Sequence, residues 1–305
     1  MKDYCAGIDI GGTKVAVALF DADMRMAAKT VFPTASTSGC EQLVEKALSE
    51  LWRLCDENGI PRDDIASVGI ASPGPLDGDA GVIVDVHTLG YKNEPILSYV
   101  RERADLPCAL VKDTNAAVYY ESMLGRGKDD GVVVYITLST GVGSGLCINK
   151  QLVTGAGNCA GELGHMVVVK GGRKCGCGSE GCLEAYASGT AIARIASERL
   201  GRAVDCKETF RLAAEGNAVA AEVIADAGEH IGYAMSAVCQ MIDPAVIVFG
   251  GSVTRDFEAL RPHIEKSFAR YAEKLSGRVT RVELSDPNGD QTVCGAAIYG
   301  KRCGK

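Results

Sequence analysis

The stretch Tyr4-Cys5-Ala6-Gly7-Ile8-Asp9-Ile10-Gly11-Gly12-Thr13-Lys14-Val15-Ala16-Val17-Ala18-Leu19-Phe20 decides the reading of the fold. Two runs rich in strand formers flank a Gly-Gly-Thr turn. The pattern predicts a hairpin with strands Tyr4–Ile10 and Lys14–Phe20. Asp9 is the anomaly, because a carboxylate between Ile8 and Ile10 is disfavoured in a strand unless it has a task. Gly11 and Gly12 let the backbone approach a phosphate, and Thr13 offers a hydroxyl. Asp9 is then a candidate holder of Mg²⁺, directly or through water. The segment Gly7–Lys14 is not a P-loop, since the Gly-Lys-Ser/Thr order is missing and a strand follows Lys14. On its own, the stretch equally fits a plain tight hairpin.

Working outward, residues 39–58 have helical spacing, with Leu43, Ala47, Leu51 and Leu54 on one face. Ile65–Ala71 predicts a buried strand, stopped by Ser72-Pro73-Gly74-Pro75. A strand at 107–111 and a helix at 116–124 follow. A second phase begins near Asp130, with a strand at 131–138 and another at 145–148. Between them runs Ser139-Thr140-Gly141-Val142-Gly143-Ser144-Gly145. This is not a dinucleotide fingerprint, because Leu146-Cys147-Ile148 continues as strand. Ser139 and Thr140 add two hydroxyls before the glycines. Two or three helices fill 189–241. A strand at 245–249 closes on Gly250-Gly251, which can admit a nucleotide near the following helix from about Phe257. A final helix starts near Val293. Each half therefore opens with a strand–glycine turn–strand unit and continues into helices. This predicts a duplicated α/β plan with an active cleft between two domains. The expected domains are 1–114 with a C-terminal helix 292–305, and 115–291.

The 305 residues fit about two cores. A net charge of -7 and the lack of any Lys/Arg-rich run predict no nucleic-acid partner. No apolar stretch approaches the roughly 18 to 20 residues of a membrane span. The N-terminal residues show no secretory pattern, so the expected location is the cytoplasm, where a disulfide framework is a poor reading of 13 cysteines. Most of the cysteines read as small buried hydrophobes. Cys175, Cys177 and Cys182 are different. With His165 ten residues upstream of Cys175, they give three thiolates and one imidazole, a closed tetrahedral set of the structural Zn²⁺ type. Glycines 171, 172, 176, 178 and 181 allow a short loop to fold round the metal.

Three segments together carry a family resemblance. Asp9-Ile10-Gly11-Gly12-Thr13, Ser139-Thr140-Gly141-Val142-Gly143 and Asp243–Gly251 resemble the phosphate and adenosine segments of sugar kinases of the actin/hexokinase class. Gly161-Glu162-Leu163-Gly164-His165 followed by Cys175–Glu184 is similar to the signature of the ROK branch (repressors, open reading frames and kinases). The match runs in order over the whole chain. The resemblance implies a two-domain actin-like, ribonuclease H-like ATPase fold and an ATP-dependent sugar kinase. It implies ATP and Mg²⁺ at Asp9, Gly11, Gly12, Thr13, Lys14, Ser139, Thr140, Gly141, Gly250 and Gly251. It makes Asp113, in Lys112-Asp113-Thr114-Asn115-Ala116, the general base, although from the residues alone Asp113 equally fits a helix N-cap. Glu162, His165 and Glu184 become acceptors for sugar hydroxyls, and Gly74 borders the sugar. His165 would then serve both the metal and the sugar.

Two positions depart from the family pattern. Lys112 stands where many members carry Asn, and Thr88 stands where an Asn precedes Leu. Lys cannot accept a hydrogen bond and Thr is shorter than Asn, so both leave the sugar open among glucose-like hexoses, N-acylated hexosamines and allose. The family also contains repressors with a helix-turn-helix ahead of the first glycine loop. Only eight residues precede Asp9, so the alternative to a kinase is a non-catalytic sugar sensor without a DNA-binding domain. A homodimer is the expected assembly, by analogy with the family.

Overall fold

The structure is a computed structural model that describes residues 3–272 and 280–304. In chain order it contains β1 (Tyr4–Ile10), β2 (Lys14–Phe20), β3 (Met26–Pro33), α1 (Cys40–Glu57), β4 (Ile65–Ser72), β5 (Leu76–Asp77), β6 (Val82–Val86), β7 (Tyr91–Glu94), α2 (Ile96–Ala104), β8 (Cys108–Lys112) and α3 (Asp113–Met123). There follow β9 (Val132–Leu138), β10 (Val142–Ile148), β11 (Gln151–Leu152), α4 (Glu184–Ala187), α5 (Gly189–Leu200), α6 (Cys206–Ala214) and α7 (Ala218–Ile242). The series closes with β12 (Val246–Gly250), α8 (Phe257–Ala272), β13 (Arg281–Leu284) and α9 (Gln291–Cys303).

The chain forms two compact units. The first comprises Met1–Leu124, Gln151–Ala160 and Asp290–Lys305; the second comprises Gly125–Lys150 and Gly161–Gly289. The sequence reading put 115–124 and 151–160 in the second domain, and the structure corrects both. Helix α3 packs along α9, so it stays with the first unit. Segment 151–160 is held there too, where Asn158 Nδ2 donates to the Leu76 carbonyl at 3.0 Å.

The first unit is built on a sheet of order β3-β2-β1-β4-β8. Strands β1, β4 and β8 are parallel, while β2 and β3 add an antiparallel flank. Strand β4 is almost wholly buried, as expected for a parallel strand covered on both faces. Helix α1 buries Leu43, Val44, Ala47, Leu48, Leu51 and Leu54, the stripe its spacing predicts. A separate small sheet, β5-β6-β7, and helix α2 have no counterpart in the sequence reading, nor does β3.

In the second unit β10, β9, β12 and β13 lie in that order, with β9, β12 and β13 parallel and β10 antiparallel to β9. The pattern of an antiparallel hairpin strand beside parallel strands is thus repeated in both units. Strand β10 starts at Val142, three residues earlier than its expected start, because it pairs with β9 in register from Val142 opposite Leu138. Among the described residues no helix is long and apolar enough to cross a membrane.

Helix α9 sits on β1 and β4 at backbone distance. A Cβ at Gly69 would lie 1.7 Å from the Ala296 carbonyl oxygen. Neither partner can yield, since one is a central strand and the other a buried helix. Gly69→Ala should therefore lower stability by about 3 kcal/mol through overpacking, read from urea midpoints at constant m-value.

Candidate active site and metal centre

In the first unit, β1, β4 and β8 run parallel, so their C-terminal ends share one edge. Asp9 lies opposite Ala71, and Ser72 lies opposite Lys112. This register brings Asp9, the Pro73-Gly74 turn, Lys112 and Asp113 to that edge, where ligands of parallel sheets are usually met. A Cβ on Gly74 would stand 3.8 Å from Lys112 Cδ, so the lysine stem borders the turn. Asp113 is the first residue of α3, and its Oδ1 accepts from the Thr114 N–H at 2.7 Å. The carboxylate is thus at a helix start, where the dipole favours negative charge.

Asp9 keeps part of its surface open to solvent. Even so, desolvation of its carboxyl and the nearby Asp113 charge push it up to about 7, opposed by Lys14 and Lys29. Two carboxylates converging in this way attract a divalent cation, which would favour the ionised pair. The Gly11–Lys14 turn is fixed from below. The Gly11 N–H donates to the Lys14 carbonyl (2.9 Å), and the Thr34 hydroxyl donates to the Gly11 carbonyl (2.7 Å). Gly12, Thr13 and Lys14 remain exposed. Thr88 lies on the exposed turn between β6 and β7.

In the second unit, β9 runs into Ser139-Thr140-Gly141, and Gly250 at the end of β12 pairs with Thr137. The two glycine segments therefore lie side by side. Ser139 Oγ is 3.2 Å from Ser252 Oγ. Gly251 has φ 93°, and a Cβ there would lie 2.4 Å from the Leu138 carbonyl oxygen, so the turn admits only glycine. Ser139, Thr140 and Ser252 open onto a cavity of about 650 Å³ that Gly189, Thr190, Ala193, Cys206, Lys207, Val253, Arg255 and Asp256 complete. Sequence reading missed Thr190, Lys207, Arg255 and Asp256. They lie on the 3₁₀ turn after Gly251 or on the first turns of α5 and α6, where isolated polar residues give no signal. Only Ser252, next to the glycine pair, was within reach.

The four sulfur and nitrogen ligands meet. One ligand atom from each of His165, Cys175, Cys177 and Cys182 lies within 4.8 Å of the others. Cys177 Sγ is 3.7 Å from Cys182 Sγ, and Cys175 Sγ is 3.8 Å from His165 Nδ1. Bonds of about 2.3 Å in a tetrahedron would set edges of about 3.8 Å, which these two separations match, so the donor set suits a metal ion. Without one, desolvation and the neighbouring thiols push Cys182 up to about 12, and burial also raises Cys175. The backbone N–H of Ser179 lowers Cys177. A cation in the centre would offset the cost of three thiolates held so close together, one of them, Cys182, buried. Paired bridges, Val167 with Cys182 and Lys174 with Glu180, fold the loop back on itself.

Nδ1 faces the thiols, so His165 Nε2 points the other way, 3.9 Å from Glu162 Oε2. Both residues are exposed. Glu184 is half-buried. Its Oε2 accepts from the Val142 N–H at 3.0 Å, and its Oε1 lies 3.9 Å from Cys175 Sγ.

The Asp9 carboxyl predicts a pH dependence. A raised pKa means that the folded state binds the proton more tightly, so the contribution of Asp9 to metal-free stability is greatest below about pH 4. It should fall as pH rises to about 7 and then level off. Asp9→Asn should flatten that window in denaturation curves taken without Mg²⁺.

A family model described as the ROK family matches residues 5–302. The chain is 30% identical over 284 residues to a glucokinase of Halalkalibacterium halodurans, covering 88% of this chain and 86% of that protein. It is 34% identical over 281 residues to an N-acetylmannosamine kinase of Salmonella typhi, covering 87% and 92%. The crystal structure of a ROK hexokinase from Thermus thermophilus superposes with a TM-score of 0.88 at 32% identity, over 97% of each chain. The chain belongs to the ROK family, and its fold is the α/β architecture of two sheet-containing domains found in that family's sugar kinases.

Proposed function

We propose that the chain transfers the γ-phosphoryl group of Mg·ATP to a hydroxyl of a hexose or hexosamine. The observation that carries this reading is the meeting of Asp9 and Asp113 at the ends of parallel strands, beside an exposed Gly-Gly-Thr turn. Phosphoryl transfer asks little covalent chemistry of a protein; it needs a base, a metal holder and fixed donors for phosphate oxygens. Asp113 takes the hydroxyl proton as the new oxygen–phosphorus bond forms and the bond to the ADP oxygen breaks. Asp9 holds Mg²⁺, directly or through water. Gly11, Gly12, Thr13, Lys14, Ser139, Thr140, Gly141, Gly250 and Gly251 are the nucleotide-binding residues of this reading. The cations of Lys207 and Arg255 at the cavity suit a polyanionic ligand.

Gly74, Thr88, Lys112, Glu162, His165 and Glu184 are the sugar-binding residues of this reading. Carboxylates suit this task because they accept strong, directional hydrogen bonds. Relatives acting on glucose and on N-acetylmannosamine are about equally similar to the chain, which agrees with the openness left by Lys112 and Thr88. His165 and the thiolates of Cys175, Cys177 and Cys182 would hold Zn²⁺ in a structural role, since four protein ligands would leave no open position for substrate.

A coupled ADP assay over glucose, mannose, allose and N-acylated hexosamines tests the activity. Release of ADP with at least one sugar is expected; none with any of them, from metal-loaded folded protein, overturns the kinase reading in favour of a sugar sensor. Asp113→Asn should keep sugar binding while kcat falls about 10²- to 10⁴-fold. Elemental analysis should find zinc at one atom per chain, and Cys182→Ser should lose it with a fall in Tm.

A further inference from the structure

Glu184 enters the sequence reading as a sugar contact, yet its best-defined bond is to the glycine loop. Its Oε2 accepts from the Val142 N–H at 3.0 Å, and a Cβ on Gly141 would come within 2.6 Å of the same oxygen. The carboxylate therefore presses against the loop backbone at two successive residues. Five residues on, the Gly189 N–H donates to the Ser139 carbonyl at 2.7 Å. The loop is thus held at both ends by segment 184–189, which follows directly on the metal ligand Cys182.

A carboxylate on a backbone N–H of an anion-binding loop has two physical readings. It is either a stand-in that a phosphate displaces or a strut that shapes the loop. The surroundings decide between them. Ser139, Thr140 and Gly189 line the cavity of about 650 Å³, whereas Gly141, Val142 and Glu184 do not. The other carboxylate oxygen, Oε1, lies 3.9 Å from Cys175 Sγ, on the metal-centre side of the loop. The Val142 N–H is satisfied from behind, while Ser139 and Thr140 are left facing the cavity. We infer that Glu184 is a positioning residue for the nucleotide as well as a sugar contact, and that it ties the shape of the phosphate loop to the metal-bound segment. The inference rests on the proposed nucleotide role of this loop.

The test is the affinity of Mg·AMPPNP measured by calorimetry in the absence of sugar, so that any sugar contact of Glu184 is silent. Loss of a charge-assisted bond to the backbone should weaken nucleotide binding roughly tenfold in Glu184→Ala. Glu184→Gln keeps an acceptor for the Val142 N–H and should stay within about threefold of the parent protein. Gly141→Ala, which pushes the carboxylate off from the loop side, should weaken nucleotide binding with Glu184 intact. Zinc content measured on each variant confirms that the metal site is retained. Unchanged nucleotide affinity in Glu184→Ala overturns the inference, and so does tighter binding, which is the signature of a stand-in. A parent protein that binds no nucleotide overturns the reading of the loop itself, a result distinct from either.

Discussion

Much of the first unit depends on one close approach, that of the α9 backbone to β4. The Ala296 carbonyl occupies the space a side chain at Gly69 would need. Hydrophobic burial drives the helix onto the sheet, but only a strand without a Cβ lets the two backbones come so near. The contact is made again at Gly7, whose Cβ would lie 2.0 Å from the Val293 carbonyl oxygen. Because β1 and β4 are both fixed by α9, their C-terminal ends are fixed too. Asp9 and Gly74 stand at those ends, and neighbouring β8 adds Lys112 and Asp113. The sequence-distant helix thereby helps to set the spacing of the two carboxylates.

The second unit solves the same problem with different means. Its polar loops are too rich in glycine to hold their own shape, since each glycine adds conformational entropy that folding must remove. The restraint comes from hydrogen bonds between loops and from the convergence of His165 and three cysteines. The imidazole shows one ring nitrogen to the thiols and leaves the other toward Glu162. One side chain thus joins the cysteine cluster to an exposed polar surface.

The legibility of these features in the sequence varied with their physical range. Strands β1, β2, β4, β8, β9 and β12 and helix α1 were legible because burial imposes local periodicity on them. The clustering of His165, Cys175, Cys177 and Cys182 was legible because four such donors so close in sequence have few other uses. Strand β3 was not, since its edge position leaves residues such as Met26 and Val31 exposed and breaks the alternation. The small β5-β6-β7 sheet was missed because strands of two to five residues give no period to read. The attachment of α3 and of segment 151–160 to the first unit depends on long-range packing that no local pattern encodes. Asp113 was assigned through the family resemblance, and the geometry at the start of α3 is also that of an ordinary helix-start carboxylate. For Lys207 and Arg255 nothing local distinguishes a cavity-lining cation from a solvated one.

The first unit is assembled from three separated stretches of chain, with nearly the whole second unit made between the second and the third. During synthesis on the ribosome this imposes an order. Strands β1, β2 and β4 emerge early but cannot bury the face that α9 covers until about 220 further residues, counted from the end of β4, have been made. The second unit has all its strands and helices in hand before that point. The early-made sheet must therefore wait with an apolar face uncovered until α9 is made.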